Sequence, residues 1–307
     1  MTAPKPVVLV TGADLAHEAL HTLAEFEVVY AGARPQETDL VDLVLTHDPI
    51  ALIVRYGRIT AKVIDAARSL KVISKHGSGI DTIDSEAAAR RGIVVKAASG
   101  ANAAAVAEHA IALLLGCAKS IIPLNGRMQH GHWDKATHKS IELEGRTLGV
   151  IGLGAIGRRT AAIAHAMGMR ILGHDPYAQN LPAYIEHASL NQIWPQAHAI
   201  TLHCPLTEEN KRLINADTLA QCRDGVIIVN TARGGLIDDT DLIDAIRSGK
   251  VFGAGLDSFH TEPPSPDHAL AGEPAIVLTP HVGGVTGDAY VKMGCAAAAN
   301  VLEVLRA

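Results

Sequence analysis

Three glycines constrain this chain more than any other feature. The run Leu148-Gly-Val-Ile-Gly-Leu-Gly-Ala-Ile-Gly-Arg158 is an apolar stretch feeding G-x-G-x-x-G, with Gly152, Gly154 and Gly157 as the glycines. Where a strand hands over to a helix, the first glycine permits a tight turn and the second lets backbone approach a pyrophosphate. The third lets the new helix lie close against the strand. The helix N-terminus then offers free N–H groups and a partial positive charge to phosphate. Glycine-rich turns are common, so the context decides. Residues 160–167 read as a helix, residues 169–174 as a second strand, and Asp175 stands 18 residues beyond Gly157. A carboxylate there can accept hydrogen bonds from an adenosine ribose and would repel a 2′-phosphate, which predicts NAD over NADP. Its plainer reading is a turn residue before Pro176.

The rest of the chain extends the same alternation in both directions. Strand-like runs at residues 7–11, 27–31, 51–54, 72–75 and 93–95 are separated by helical segments at 14–25, 39–46 and 60–67, which predicts a small doubly wound unit. From Arg146 onward, six further strands are expected at 149–152, 170–173, 199–203, 226–230, 253–256 and 275–278, the pattern of a dinucleotide-binding unit. Residues 103–118 form the most apolar helix, short for a bilayer and carrying Glu108 and His109, so a core or subunit-contact helix is expected. Residues 127–144 have no clear period and read as a contact arm or a loop. A length of 307 residues suits about two domains. Lys plus Arg number 27 against 32 Asp plus Glu, a net charge of −5 that offers no basic footprint for nucleic acid or an anionic membrane. The four cysteines lie far apart with no metal-ligand spacing, and the N-terminus leads into a strand without an apolar signal segment; a cytoplasmic protein with no bound metal is expected.

Polar residues that could do chemistry cluster after expected strands, where ligands bind in this architecture. After the fourth strand, residues 75–84 contain Gly77, Ser78 and Gly79, either an anion-binding backbone nest or a turn capped by Asp81 or Asp84. Late in the chain, residues 230–235, 256–263 and 279–284 bring Arg233, Glu262 and His281. Hydride transfer to a 2-oxo acid requires a cation for the carboxylate, a proton donor for the carbonyl oxygen and a group that orients the donor. Arginine, histidine and glutamate fill those needs in turn. Singly, each has an ordinary structural reading, as a surface ion pair, a structural ring or a loop carboxylate. Their joint occurrence in the last three strand-to-helix connections favours the chemical one.

These motifs together resemble the D-isomer-specific 2-hydroxyacid dehydrogenase family. The resemblance spans nearly the whole chain and rests on H-G-S-G-I-D at 76–81, A-V-A-E-H at 105–109, the glycine motif with Asp175, and H-C-P-L-T at 203–207. It continues through N-T-A-R-G at 230–234, the segment 257–263 and Pro280-His281. It implies an α/β fold of two doubly wound parallel-sheet domains: a Rossmann NAD-binding domain, residues 99–284, and a smaller flavodoxin-like substrate domain, residues 1–98, completed by the C-terminal helix 285–307. It also implies a homodimer built around the cofactor domain. By the same resemblance Arg233 binds the substrate carboxylate, His281 moves the proton and Glu262 is its partner. Ala155 and Ile156 meet the pyrophosphate and Asp175 the ribose. Thr231, Ala232 and Asp257 lie at the nicotinamide end, with Cys204, Pro205, Gly283 and Gly284 also on the cofactor, while Gly77, Ser78 and Gly79 face the substrate.

Within the family, residues 190–195, 219–222 and 259–264 resemble the phosphoglycerate dehydrogenases. A phosphorylated acid needs extra cations, and the likeness places Arg55, Lys75 and Lys135 at a phosphate pocket; solvated surface charges are the alternative. The second expectation is a hydroxypyruvate or glyoxylate reductase. A third, from another class, is a non-catalytic NAD(H)-sensing corepressor-like protein, because the same fold serves that role too. His76 and Val285 depart from the family pattern and leave the substrate open.

Overall fold

The computed structural model describes residues 4–307. Contacts divide the chain into two units, one running to Asn102 and resuming at Val285–Ala307, the other Ala103–Gly284.

The first unit is a five-stranded, wholly parallel sheet of β1 (Val7–Val10), β2 (Glu27–Tyr30), β3 (Ala51–Val54), β4 (Val72–Lys75) and β5 (Val94–Ala97) in the order β2-β1-β3-β4-β5. Its helices are α1 (His17–Thr22), α2 (Glu37–His47), α3 (Ala61–Ala66) and α4 (Ser85–Arg90). The central strands are apolar at consecutive positions because helices cover both faces. Val8, Val10, Ile53 and Val72 enter one core with Ala19, Leu23, Ala297, Ala298 and Val301. Leu9, Leu52, Val54 and Ile73 enter the other with Leu40, Ile64 and Ala87. The period of two along each strand thus feeds two cores at once.

The second unit begins with α5 (Ala103–Ala118) and α6 (Ile121–Gln129). It continues through β6 (Thr147–Ile151), α7 (Ala155–Ala166), β7 (Arg170–His174), β8 (Ile185–His187), α8 (Leu190–Gln196), β9 (Ala199–Leu202), α9 (Ala216–Gln221), β10 (Val226–Asn230), α10 (Asp239–Arg247), β11 (Val251–Leu256) and β12 (Ile276–Leu278). All seven strands are parallel, in the order β12-β11-β10-β9-β6-β7-β8. Helix α5 is buried along most of its length against this sheet. It lies close because β11 carries glycines: a Cβ on Gly255 would stand 2.7 Å from the Cβ of Leu113. Among the described residues no single helix is long and apolar enough to cross a membrane.

The final helix, α11 (Gly287–Arg306), packs in the first unit, where Asn300 donates hydrogen bonds to Ser74 Oγ and to the carbonyl of Ala97. The division after Asn102 falls later than residue 98, because 98–102 stay tied to the first unit: Ala98 N–H donates to Lys75 O, and Ser78 Oγ to Asn102 Oδ1. There are three other local differences. Strand β8 escaped sequence reading because it is three residues long with only Ile185 buried. Helix α6 carries Pro123 and Gly126, which read as breakers, although the proline sits in its first turn, where the missing N–H costs nothing. Helix α1 starts at His17, after an extended Ala16, while Asp14 ahead of it is held in an ion pair with Arg55.

Candidate active site

In each parallel sheet every strand ends at the same edge, so the loops that follow the strands share that edge. In the second unit the order reverses between β6 and β9, the place where open α/β sheets bind ligands. Gly152 follows β6 with φ +93°, and a Cβ there would lie 2.5 Å from the Cys204 nitrogen of the loop after β9. Gly157 is bound even more tightly, its Cβ position being 1.9 Å from the Gly152 carbonyl oxygen. Gly154, the N-cap of α7, faces open space, and neither a side-chain cap nor an acidic residue occupies the first turn. By contrast Asp238 caps α10 through Thr240 and Asp241 N–H. An uncapped helix end beneath a glycine with open space fits a pyrophosphate at Ala155 and Ile156.

Asp175 follows β7 and binds the glycine loop itself: Oδ2 accepts from Leu153 N–H at 2.8 Å and Oδ1 from Tyr177 N–H at 2.8 Å. Arg158, whose role the sequence did not reveal, clamps the same loop by donating to the carbonyls of Leu153, Asn180 and Gln179. Across the switch point Cys204 is half-buried and loss of solvation pushes its thiol pKa up to about 11, so it presents a neutral S–H and not a nucleophile. His203 is half-buried with its Nδ1 shut off from solvent, and loss of solvation lowers its pKa to about 3. Its Nε2 meets Thr201 Oγ1 at 3.0 Å.

The other half of the edge carries the residues expected to do acid–base chemistry. Register sets Asn230, Leu256 and Leu278 abreast, so the loops after β10, β11 and β12 leave the sheet side by side. Asn230 is buried and shapes the first loop, accepting from Ala232 N–H at 2.9 Å and donating to Arg233 O at 2.8 Å. Thr231 Oγ1 in this loop is a buried hydroxyl with no hydrogen-bond partner, an atom suited to a bound group at the nicotinamide end. Arg233 donates through Nη1 to Ala232 O.

Asp257, 2% exposed, holds the last loop to the second. Oδ1 accepts from Thr279 Oγ1 at 2.6 Å and Val282 N–H at 2.9 Å, and Oδ2 from Gly283 N–H at 2.8 Å. His109 on α5 supports this carboxylate, with Nε2 2.9 Å from Thr279 Oγ1 and 3.4 Å from Asp257 Oδ1. A side chain on Gly283 would strike Asp257 Oδ2, so this loop is built backbone to carboxylate; Gly284 follows at its end. His281, at φ +53°, directs Nδ1–H to Glu262 Oε2 at 2.7 Å, while Glu262 Oε1 accepts from Phe259 N–H at 3.0 Å. The peptide bond Glu262–Pro263 is cis. The ring is thereby oriented, its Nε2 is left for a proton, and both partners are about 40% exposed.

In the first unit Gly77, Ser78 and Gly79 follow β4, with Gly77 O accepting from Ala98 N–H and Asp84 Oδ1 capping α4 through Ala87 N–H at 2.8 Å. Arg55 follows β3 and Lys75 ends β4 of this sheet. Arg55 pairs with Asp14, and Lys75 Nζ donates to Arg55 O at 3.2 Å. Lys135 belongs to the second unit and is exposed.

Residues 111–283 match the model of the D-isomer specific 2-hydroxyacid dehydrogenase, NAD binding domain. A hydroxypyruvate reductase of Thermotoga maritima is 38% identical over 279 residues, which cover 90% of this chain and 91% of the relative. A D-3-phosphoglycerate dehydrogenase of Methanocaldococcus jannaschii is 38% identical over 308 residues; the match covers 97% of this chain but only 57% of that longer protein. Among solved structures, the TT0316 protein from Thermus thermophilus superposes with a TM-score of 0.89 at 36% identity, covering 98% of this chain and 97% of its own.

Proposed function

This chain belongs to the D-isomer specific 2-hydroxyacid dehydrogenase family and carries its nicotinamide dinucleotide-binding domain, and from that premise we propose that it interconverts a 2-hydroxy acid and its 2-oxo acid with NAD. The observation that carries this reading is the His281–Glu262 pair in the loops after β12 and β11, beside the Arg233 loop after β10. The bound nicotinamide would supply or take up the hydride. The chain's own part in reduction is to hold the substrate carboxylate by Arg233 and to pass a proton from His281 Nε2 to the carbonyl oxygen. Glu262 fixes the ring through Nδ1 and supports the charge that oxidation of the hydroxy acid would place on it. Asp257 and His109 keep the loops at their spacing. On the dinucleotide half, Gly152, Gly154 and Gly157 would admit the pyrophosphate at Ala155 and Ile156, with Asp175 at the ribose and Cys204, Pro205, Thr231 and Ala232 lining the remainder.

In this reading residues 1–98 with 285–307 bind substrate and 99–284 bind NAD, and the substrate is a hydroxypyruvate-like acid or its phosphorylated form. The protein works as a cytoplasmic homodimer; exposed Ile121, Ile122, Met128 and Trp133 are supporting apolar surface for self-association. Purified protein mixed with NADH and a panel of short 2-oxo acids should consume NADH. Tight NADH binding with no turnover of any acid would instead favour the non-catalytic, cofactor-sensing alternative.

A further inference from the structure

In the first unit the strand order reverses between β1 and β3, so the loops after these two strands flank a ligand-binding crevice by the same topological rule. Asp14 comes from one loop and Arg55 from the other, and their side chains meet in an ion pair. Arg55 is 12% exposed and donates also to the Asp14 carbonyl at 2.6 Å. Its guanidinium stands 5.3 Å from the ring centre of Tyr56 and 5.0 Å from that of Tyr290 on α11. The Tyr290 hydroxyl donates to Asp14 Oδ1 at 3.0 Å, closing the triangle. Gly12 makes room for this arrangement, since a Cβ there would lie 2.9 Å from Arg55 Cδ.

We propose that Asp14 sets the substrate class, keeping Arg55 in a closed pair so that this crevice takes a 2-oxo acid with an uncharged far end and turns away its phosphorylated counterpart. The inference rests on the 2-oxo acid reading above. A phosphate dianion could bond the paired edge of Arg55 only by displacing a carboxylate already there, and it would meet that carboxylate's repulsion. Of the nearby groups only Lys75 adds positive charge. His76 is buried beside Arg55 and Lys75, and burial first, then Arg55, lowers its pKa to about 4, so it is neutral at physiological pH. Tyr30 and Tyr290 are held above the usual phenol range, chiefly by burial, and stay neutral. Arg55 lowers the pKa of Asp14, which keeps it ionised. Lys75 is the second cation, with its Nζ on the Arg55 carbonyl.

The test compares kcat/KM for hydroxypyruvate and for its 3-phosphate in the unaltered protein, Asp14→Asn and Tyr290→Phe, with thermal melts to verify folding. The unaltered protein should favour the unphosphorylated acid, and Asp14→Asn should move the ratio about tenfold or more toward the phosphate. Tyr290→Phe, which removes only the bond to Asp14, should move it the same way by less. Preference of the unaltered protein for the phosphate, or a ratio unmoved in both variants, overturns the proposal. Turnover of another short 2-oxo acid but of neither of these two overturns this inference and leaves the oxidoreductase reading standing, while turnover of no acid in the panel overturns both.

Discussion

His281 is held by one carboxylate, so the two residues should fail differently when removed. His281→Ala deletes the proposed proton donor, and kcat should fall by about 10²–10⁴ while NADH affinity, measured by fluorescence titration, survives. Glu262→Gln keeps a hydrogen-bond acceptor and loses the charge, so its kcat should lie between those of the alanine variant and the unaltered protein. Equal activity in His281→Ala would remove histidine from the mechanism. Asp175 makes the turn contact that the sequence offered beside its expected ribose role, and adds one to the glycine loop that the sequence did not reveal. Its carboxylate would meet a ribose, yet it already accepts from Leu153 and Tyr177 N–H and so shapes the glycine loop. Asp175→Ala should therefore weaken NADH binding by about tenfold or more, while its gain for NADPH stays small because the loop loosens for both cofactors. A clean exchange of preference at full activity would mean that the carboxylate acts on the ribose alone. The loop positions of Arg233, Glu262 and His281 were legible because each stood after an expected strand. Arg158 and His109 were not, since each acts on atoms brought near only by folding: Arg158 on the carbonyls of Leu153, Gln179 and Asn180, His109 on Thr279, 170 residues away.

At the scale of elements, the parallel sheets were legible because their strands are near-continuous apolar runs between helical periods, as β10 (Val226–Asn230) shows with every residue buried. What the pattern could not supply was strand order. That β6 neighbours β9 and not β8, which follows β7, is a property of the crossover connections. The return of α11 to the first sheet was likewise an implication of family resemblance and not of periodicity, because an amphipathic helix does not declare which apolar face it will cover. Close helix–sheet approach leaves a mark in sequence only as glycine inside a strand, and β11 has two, Gly253 and Gly255. Adding side-chain volume at Gly255 must push α5 off the sheet, since the Cβ position is already 2.7 Å from Leu113. Gly255→Val should cost about 1–3 kcal/mol, read as a lowered urea midpoint. Leu113→Ala in the same chain should recover part of that loss, and no recovery would place the strain elsewhere.

For the whole molecule, acid should act on both units through buried histidines. His76 in the first unit and His203 in the second have pKa values pushed down to about 4 and about 3 by burial, from an ordinary 6.5. The unfolded chain takes up these protons as pH falls through 6.5, whereas the folded chain does not until the lower values, so the unfolded state binds more protons in between. Stability is therefore complete above pH 6.5 and declines below it, by up to about 1.4 kcal/mol per pH unit for each such group. Lowered carboxylates such as Asp14, Asp48 and Asp134 have ordinary values near 3.8 and lose their contribution only in stronger acid. Asp239, raised chiefly by burial, acts in the opposite sense. The interval from pH 6.5 to 4 thus separates the histidines from most carboxylates, with His198, also lowered chiefly by burial, adding in the same direction. Calorimetric melts should show Tm falling steadily across that interval, and the slope should shrink in a His76→Gln, His203→Gln double variant whatever its absolute Tm. An unchanged slope would mean that neither histidine is held neutral by the fold, and acid sensitivity would have to be sought in His198 and the ion pairs at the surface.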